Sequence, residues 1–180
     1  MDTAIVDRTV YTSLGDLLKY PAPGYLGRTM LLARELQTAC PAAAAHIEVF
    51  ADEISAQPLE KLQETYTRAF DISPHCIPYI SVFLFGEENF KRATLMAGLK
   101  ERYVENGIDL EGELPDHLGV ILRYANVFDD DEWRELACWC VPGPLKEMVR
   151  GLTRAKSPYR HVLETVRLVF AEAYPREFER

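Results

Sequence analysis

An all-α fold is what this sequence predicts, and three observations carry the prediction. Apolar residues recur at intervals of three and four in almost every segment, prolines and glycines punctuate those segments, and no long stretch alternates with the period of a strand. The expected architecture is one helical bundle of about seven to nine helices, with residues 1–180 forming a single domain and no internal repeat.

Each element has a local reason. Val6, Val10, Leu14, Leu17 and Leu18 share a helical face that stops at "KYPAPG", where two prolines and a glycine interrupt it. A second helix is predicted from about Gly24 to Cys40, carrying Leu31, Leu32, Leu36 and Ala39. Pro41, suited to a first-turn position, opens a third through "AAAAHIEVFADEIS". Pro58 opens a fourth, on which Leu59, Leu62, Tyr66, Ala69 and Phe70 form one stripe.

The middle reads differently. "ISPHCIPYISVFLFGEEN" holds Pro74 and Pro78 and an apolar run from Ile80 to Phe85, expected to be extended or loop, although so short a run does not distinguish a strand from a buried helical turn. Helical spacing returns at Phe90, Leu95, Leu99 and Tyr103 and ends at Gly107. "DDDEWRELACWC" places acids at the positive end of a helix, and "PLKEMVRGLTRAK" follows the Pro142-Gly143-Pro144 break. In the last helix Ser157 is the expected cap, Pro158 fits the first turn, and Val162, Val166, Val169 and Phe170 form the buried face.

Charge and composition exclude several classes. There are 28 acidic residues against 20 basic ones, giving −8 and a pI near 5.1, so a nucleic-acid backbone or anionic lipid is repelled on average and a basic partner is the better match. The opening "MDTAIVDRTVYTSLGD" has no basic leader followed by an apolar stretch, and no run approaches the roughly 18 apolar residues of a membrane span. A cytoplasmic location without membrane insertion is expected. Cys40, Cys76, Cys138 and Cys140 are scattered, which fits reduced thiols better than a disulfide framework.

The stretch "EGELPDHLGVILRY" concentrates the candidate chemistry. Pro115 at the first helical position loses no hydrogen bond, and Asp116 in the first turn faces the helix's positive end. Leu118, Ile121, Leu122 and Ala125 define the buried stripe. At about 100° per residue, His117 falls about 90° from its centre, at the edge of the core, with Asp116 on the far side and free to meet a cation. An Asp-His neighbour pair invites a catalytic reading, but no G-x-S-x-G elbow and no glycine-rich phosphate loop accompany it. Cys138 and Cys140, two apart on a helix, and the lone His75-Cys76 pair do not have zinc spacing. No catalytic residue, metal or cofactor is expected.

The order of motifs is the stronger signal. "LLKYP", then the segment from Tyr66 to Phe70 and Asp71, then Pro78-Tyr79 with Ser81 and Phe83, then Glu113-Leu114-Pro115-Asp116-His117-Leu118 together resemble the TorD/NarJ-like molybdoenzyme maturation chaperones, which include the nitrate reductase delta subunit. The resemblance implies an all-helical chaperone that binds the N-terminal signal or signal-like segment of a molybdenum oxidoreductase's precursor catalytic subunit. It implies that export or membrane docking waits until the cofactor is inserted. It also associates the acid-Pro-x-Asp-His type motif, here Glu113, Asp116 and His117, with the peptide site.

The residue-level reading is compatible with this. An acidic helical domain with aromatic side chains beside proline-rich breaks suits a basic, amphipathic peptide in a groove, such as a twin-arginine signal. Tyr66, Phe70, Tyr79 and Phe83 can line such a groove, and equally can be core. Two other classes stay open: a structural subunit held permanently in an oxidoreductase complex, and a small helical nucleotide hydrolase. Either a monomer or a dimer formed by exchange of helices fits the short connections.

Overall fold

A computed structural model describes residues 7–72, 75–110 and 112–178. Val6, Pro74 and Glu111, which enter the sequence reading, lie outside the described residues. The described residues form eleven α-helices: α1 (Arg8–Leu17), α2 (Tyr25–Ala39), α3 (Pro41–Ser55), α4 (Leu59–Phe70), α5 (Ile80–Phe85), α6 (Phe90–Glu105), α7 (Leu118–Arg123), α8 (Asp130–Glu135), α9 (Pro142–Arg154), α10 (Tyr159–Ala173) and α11 (Pro175–Phe178). The fold is an all-α bundle, and the only β feature among those residues is an isolated antiparallel bridge between Tyr79 and His117. None of the described helices is long and apolar enough to cross a membrane.

Local chemistry accounts for most element starts. Asp7 caps α1 by accepting from the Thr9 amide at 2.9 Å. Cys40 alone separates α2 from α3, with Pro41 at the first position of α3, so the two helices fold back on each other as a hairpin. Asp129 and Glu132 close a reciprocal capping box on α8.

The core centres on α10 and α7. Tyr159, Val162, Val166, Val169 and Phe170 of α10 are all fully buried, facing the Ala43, Ala44, Ile47 and Phe50 side of α3. Each such aliphatic or aromatic side chain contributes about 1.5–3 kcal/mol of gross hydrophobic stabilisation. α7 is buried from Leu118 to Leu122 and crosses α1 where Gly15 lets the two backbones touch. Tyr11 joins α1 to this centre through edge-to-face contact with Trp133 at 4.9 Å and a tilted contact with Phe170 at 4.8 Å.

Several expectations are corrected. Ile80–Phe85 is a helix, because a carboxylate from a distant segment, that of Asp116, accepts from its N-terminal amide at Ser81. α7 begins at Leu118 with His117 as its cap, so Pro115 and Asp116 precede the helix instead of forming its first turn. The Pro142-Gly143-Pro144 sequence does not break the chain. A π-turn over Leu136–Cys140 runs directly into α9, whose first turn tolerates both prolines because its amides have no intrahelical acceptor. Ser157 does not cap α10: its hydroxyl makes no hydrogen bond among the described residues, and Pro158 occupies the cap position. Leu31, Ala39 and Phe90 face solvent, where neighbouring turns present no surface to cover them.

Candidate functional site

The Pro78–Ser81 and Glu113–Leu118 segments are bound to each other by backbone and side chain. The Ile80 amide donates to the Asp116 carbonyl at 3.1 Å, and the Leu118 amide donates to the Pro78 carbonyl at 2.8 Å. Asp116 Oδ2 accepts from the Ser81 amide at 3.2 Å and from the Ser81 hydroxyl. Asp116 is 0% exposed and its Oδ1 has no hydrogen-bond partner among the described residues. This overturns the expected position of Asp116. A carboxylate sealed under α5 is not free to meet a ligand's arginine, because burying a charge is tolerated only where donors such as those of Ser81 compensate it.

His117 is likewise inside rather than at the edge, at 5% exposure, with its ring edge-on to Tyr79. Its Nδ1 accepts the Gly119 amide at 3.0 Å and so carries no proton in the fold. Burial pushes its pKa below the ordinary histidine value, opposed by the charge of Glu113. His161 is also pushed down, by burial and then by Arg160. With both folded values depressed, the unfolded chain binds more protons than the native one. Their contribution is therefore present above about pH 6.5 and is lost as pH falls through the lowered values. Denaturant midpoints at about pH 7.5 and about pH 5 are expected to differ less in His117→Asn than in the parent chain, since Asn keeps the cap acceptor without the titration. An unchanged pH dependence in that variant would assign the acid lability elsewhere.

Above this buried layer opens a cavity of about 590 Å³. Phe70, Ile77, Pro78, Val82 and Leu114 supply its apolar wall, and Asp71, Tyr79, Glu87 and Arg92 its polar groups. The Tyr79 hydroxyl donates to Glu113 Oε1 at 3.1 Å, and the Leu114 amide donates to the same oxygen at 2.8 Å, so Glu113 is held beside two residues of the wall. Burial and then Glu113 push the Tyr79 phenol up to about 12. Burial and then Glu113 raise the Asp71 carboxyl as well. Asp71 makes no ion pair among the described residues, although it sits at the C-terminus of α4 where a cation is favoured.

The expected site residues therefore separate into groups. Phe70, Asp71 and Tyr79 line the cavity, and Glu113 is bonded to Tyr79 beside it. Tyr66 is core, its hydroxyl donating to the Leu18 carbonyl at 3.0 Å. Phe83 is 38% exposed and is not part of the cavity wall. Sequence reasoning did not find Arg92, Glu87, Ile77, Val82 and Leu114. For Arg92 one signal was available: with Asn89 capping α6, Lys91 and Arg92 put two cations in a first turn that favours anions.

Among the described residues no group of three or more His, Cys, Asp or Glu is arranged to hold a metal ion, and Cys40, Cys76, Cys138 and Cys140 are free thiols. The sequence model of the family described as nitrate reductase delta subunit matches residues 33–138, well over half of the chain and every residue of this site. The chain belongs to that family. No curated protein matches it at a significant level. Membership in the delta-subunit family implies a chaperone role in molybdoenzyme assembly and interaction with a molybdoenzyme's catalytic subunit.

Proposed function

We propose that this delta-subunit family member binds the N-terminal signal or signal-like segment of a molybdenum oxidoreductase's precursor catalytic subunit in the 590 Å³ cavity, holding it until the cofactor is inserted and before export or membrane docking. The protein acts in the cytoplasm, and residues 1–180 work as one unit. The observation that carries the reading is a cavity with an apolar wall of Phe70, Ile77, Pro78, Val82 and Leu114 and with Asp71, which has no ion-pair partner among the described residues, all within the residues that the family match spans.

The physical division of labour follows from the wall. Phe70, Ile77, Pro78 and Leu114 take the apolar face of an amphipathic segment, while Asp71 and Glu113 meet its cations. Asp116 and His117 support the site from beneath: one caps α5, the other α7, and both fix the Tyr79 segment against them. The charge of −8 speeds encounter with a basic segment, and the apolar contacts hold it.

Calorimetric titration with the client's N-terminal peptide tests the proposal. Asp71→Asn combined with Glu113→Gln is expected to weaken binding roughly tenfold, mostly through slower association that disappears at high salt. Unfolding free energy is expected to change by no more than about 0.5 kcal/mol, because both side chains are at the surface. Unaltered affinity in the double variant would remove the acidic rim from the site. Capture of cofactor-free precursor, and not of mature enzyme, separates the chaperone role from that of a permanent subunit.

A further inference from the structure

The half-buried arginines of this protein follow a rule that one of them breaks. Arg8 pairs with Asp130, Arg102 with Glu132, Arg123 with Asp16, Arg160 with Glu53, and Arg167 with Glu164. Arg92, equally half-buried, has no carboxylate in ion-pair reach among the described residues. Its Nε donates to the Ser81 hydroxyl oxygen at 2.9 Å and its Nη1 to the Glu87 backbone carbonyl at 3.4 Å.

Position makes the isolation more costly. Arg92 lies in the first turn of α6, whose exposed amides carry partial positive charge, and that turn contains no acid. Among the described residues its anionic support is indirect, through the Ser81 hydroxyl to the buried Asp116 carboxylate. A guanidinium held there, on the cavity wall beside the apolar Val82 and Leu114, presents unused donors in a planar fork.

We propose that Arg92 is a second reading point of the cavity and takes a side-chain carboxylate of the bound client segment. The site then selects a segment carrying an acidic residue as well as basic ones, the bases meeting Asp71 and Glu113 and the acid meeting Arg92. Ser81 and Asp116 are positioning residues for this contact, because they aim the guanidinium without touching the client. The proposal rests on the peptide-binding reading and adds to it a preference that net charge opposes, since an acid on the client is repelled by the protein as a whole.

The test uses C-terminally amidated amphipathic peptides of about fifteen residues with two arginines, in which one glutamate is moved along the sequence and compared with glutamine at each place. The full-length protein is expected to bind the glutamate form roughly tenfold tighter at one or two of those places. Arg92→Gln is expected to bind both forms equally, at the affinity of the glutamine form, and to unfold no more easily than the parent. Arg92→Lys keeps the charge without the fork and is expected to retain part of the preference. A glutamate preference that survives in Arg92→Gln, or its absence at every place in the parent, overturns the role of Arg92 while leaving peptide binding intact. Failure of every peptide to bind the parent overturns the cavity reading itself, and this inference with it.

Discussion

Gly151→Ala is expected to lower unfolding free energy by about 2–4 kcal/mol and the thermal midpoint by roughly 5–12 °C, although alanine is the better helix former by about 1 kcal/mol. A Cβ at Gly151 would overlap the carbonyl oxygen of His75, a backbone atom with no side-chain torsion to yield. Either α9 or the His75 strand of chain must move. That chain is anchored by the Cys76 amide on the Ala69 carbonyl at 3.1 Å and continues into Ile77 and Pro78 of the cavity wall. Peptide affinity should therefore fall together with stability. Gly15→Ala is expected to cost a similar amount, since its Cβ would lie 2.5 Å from the Arg123 nitrogen and 2.7 Å from the Gly119 oxygen. Gly98, in α6 with nothing within 4 Å of a built Cβ, is the control, and its alanine variant should gain about 0.5–1 kcal/mol. Urea denaturation of the three variants decides the matter: equal stability of Gly151→Ala and the parent would mean that the segment yields freely.

Asp116→Ala is expected to destabilise the fold by about 2–4 kcal/mol, because the Ser81 amide and hydroxyl, buried and bonded to one carboxylate oxygen, would lose their acceptor together. Asp116→Asn keeps one acceptor oxygen and should cost about half as much. A double-mutant cycle with Ser81→Ala should give a sum smaller than its parts, as both changes break the same contact. Client affinity should fall in proportion to the disturbance of α5 and Arg92, with no separate loss of a charge pair at the surface. Wild-type stability combined with abolished binding in Asp116→Ala would sink this account and return Asp116 to direct contact with the client.

Much of the fold is legible in one dimension. The face of α10 is readable from Val162, Val166, Val169 and Phe170, all buried as their spacing requires. Pro41 marks the start of α3, and Asp129 and Glu132 mark that of α8, because a helix end is satisfied by side chains within three residues of it. Three of the residues singled out from the sequence, Phe70, Asp71 and Tyr79, line one cavity, and a fourth, Glu113, bonds the Tyr79 hydroxyl.

The errors share one physical origin. Pro115 and Asp116 look like a helix start because the local rules for a first turn fit them. In the fold they instead form a turn, closed by the His117 amide on the Leu114 carbonyl and set against the bridge from Tyr79 to His117, and Asp116 spends its carboxylate on the end of another helix. Ile80–Phe85 is ambiguous by itself, and in the fold its first turn is helical with a carboxylate from that distant segment on the Ser81 amide. The sequence by itself determined the helical periodicity, most helix starts, the acidic balance and the family, since each is a property of neighbouring residues or of their order. Tertiary structure alone decided which polar side chains are sealed and which face the cavity. Whether Asp116 is buried and Arg92 unpaired depends on segments far apart in the chain meeting within a hydrogen bond's length, and such meetings leave no local pattern to read.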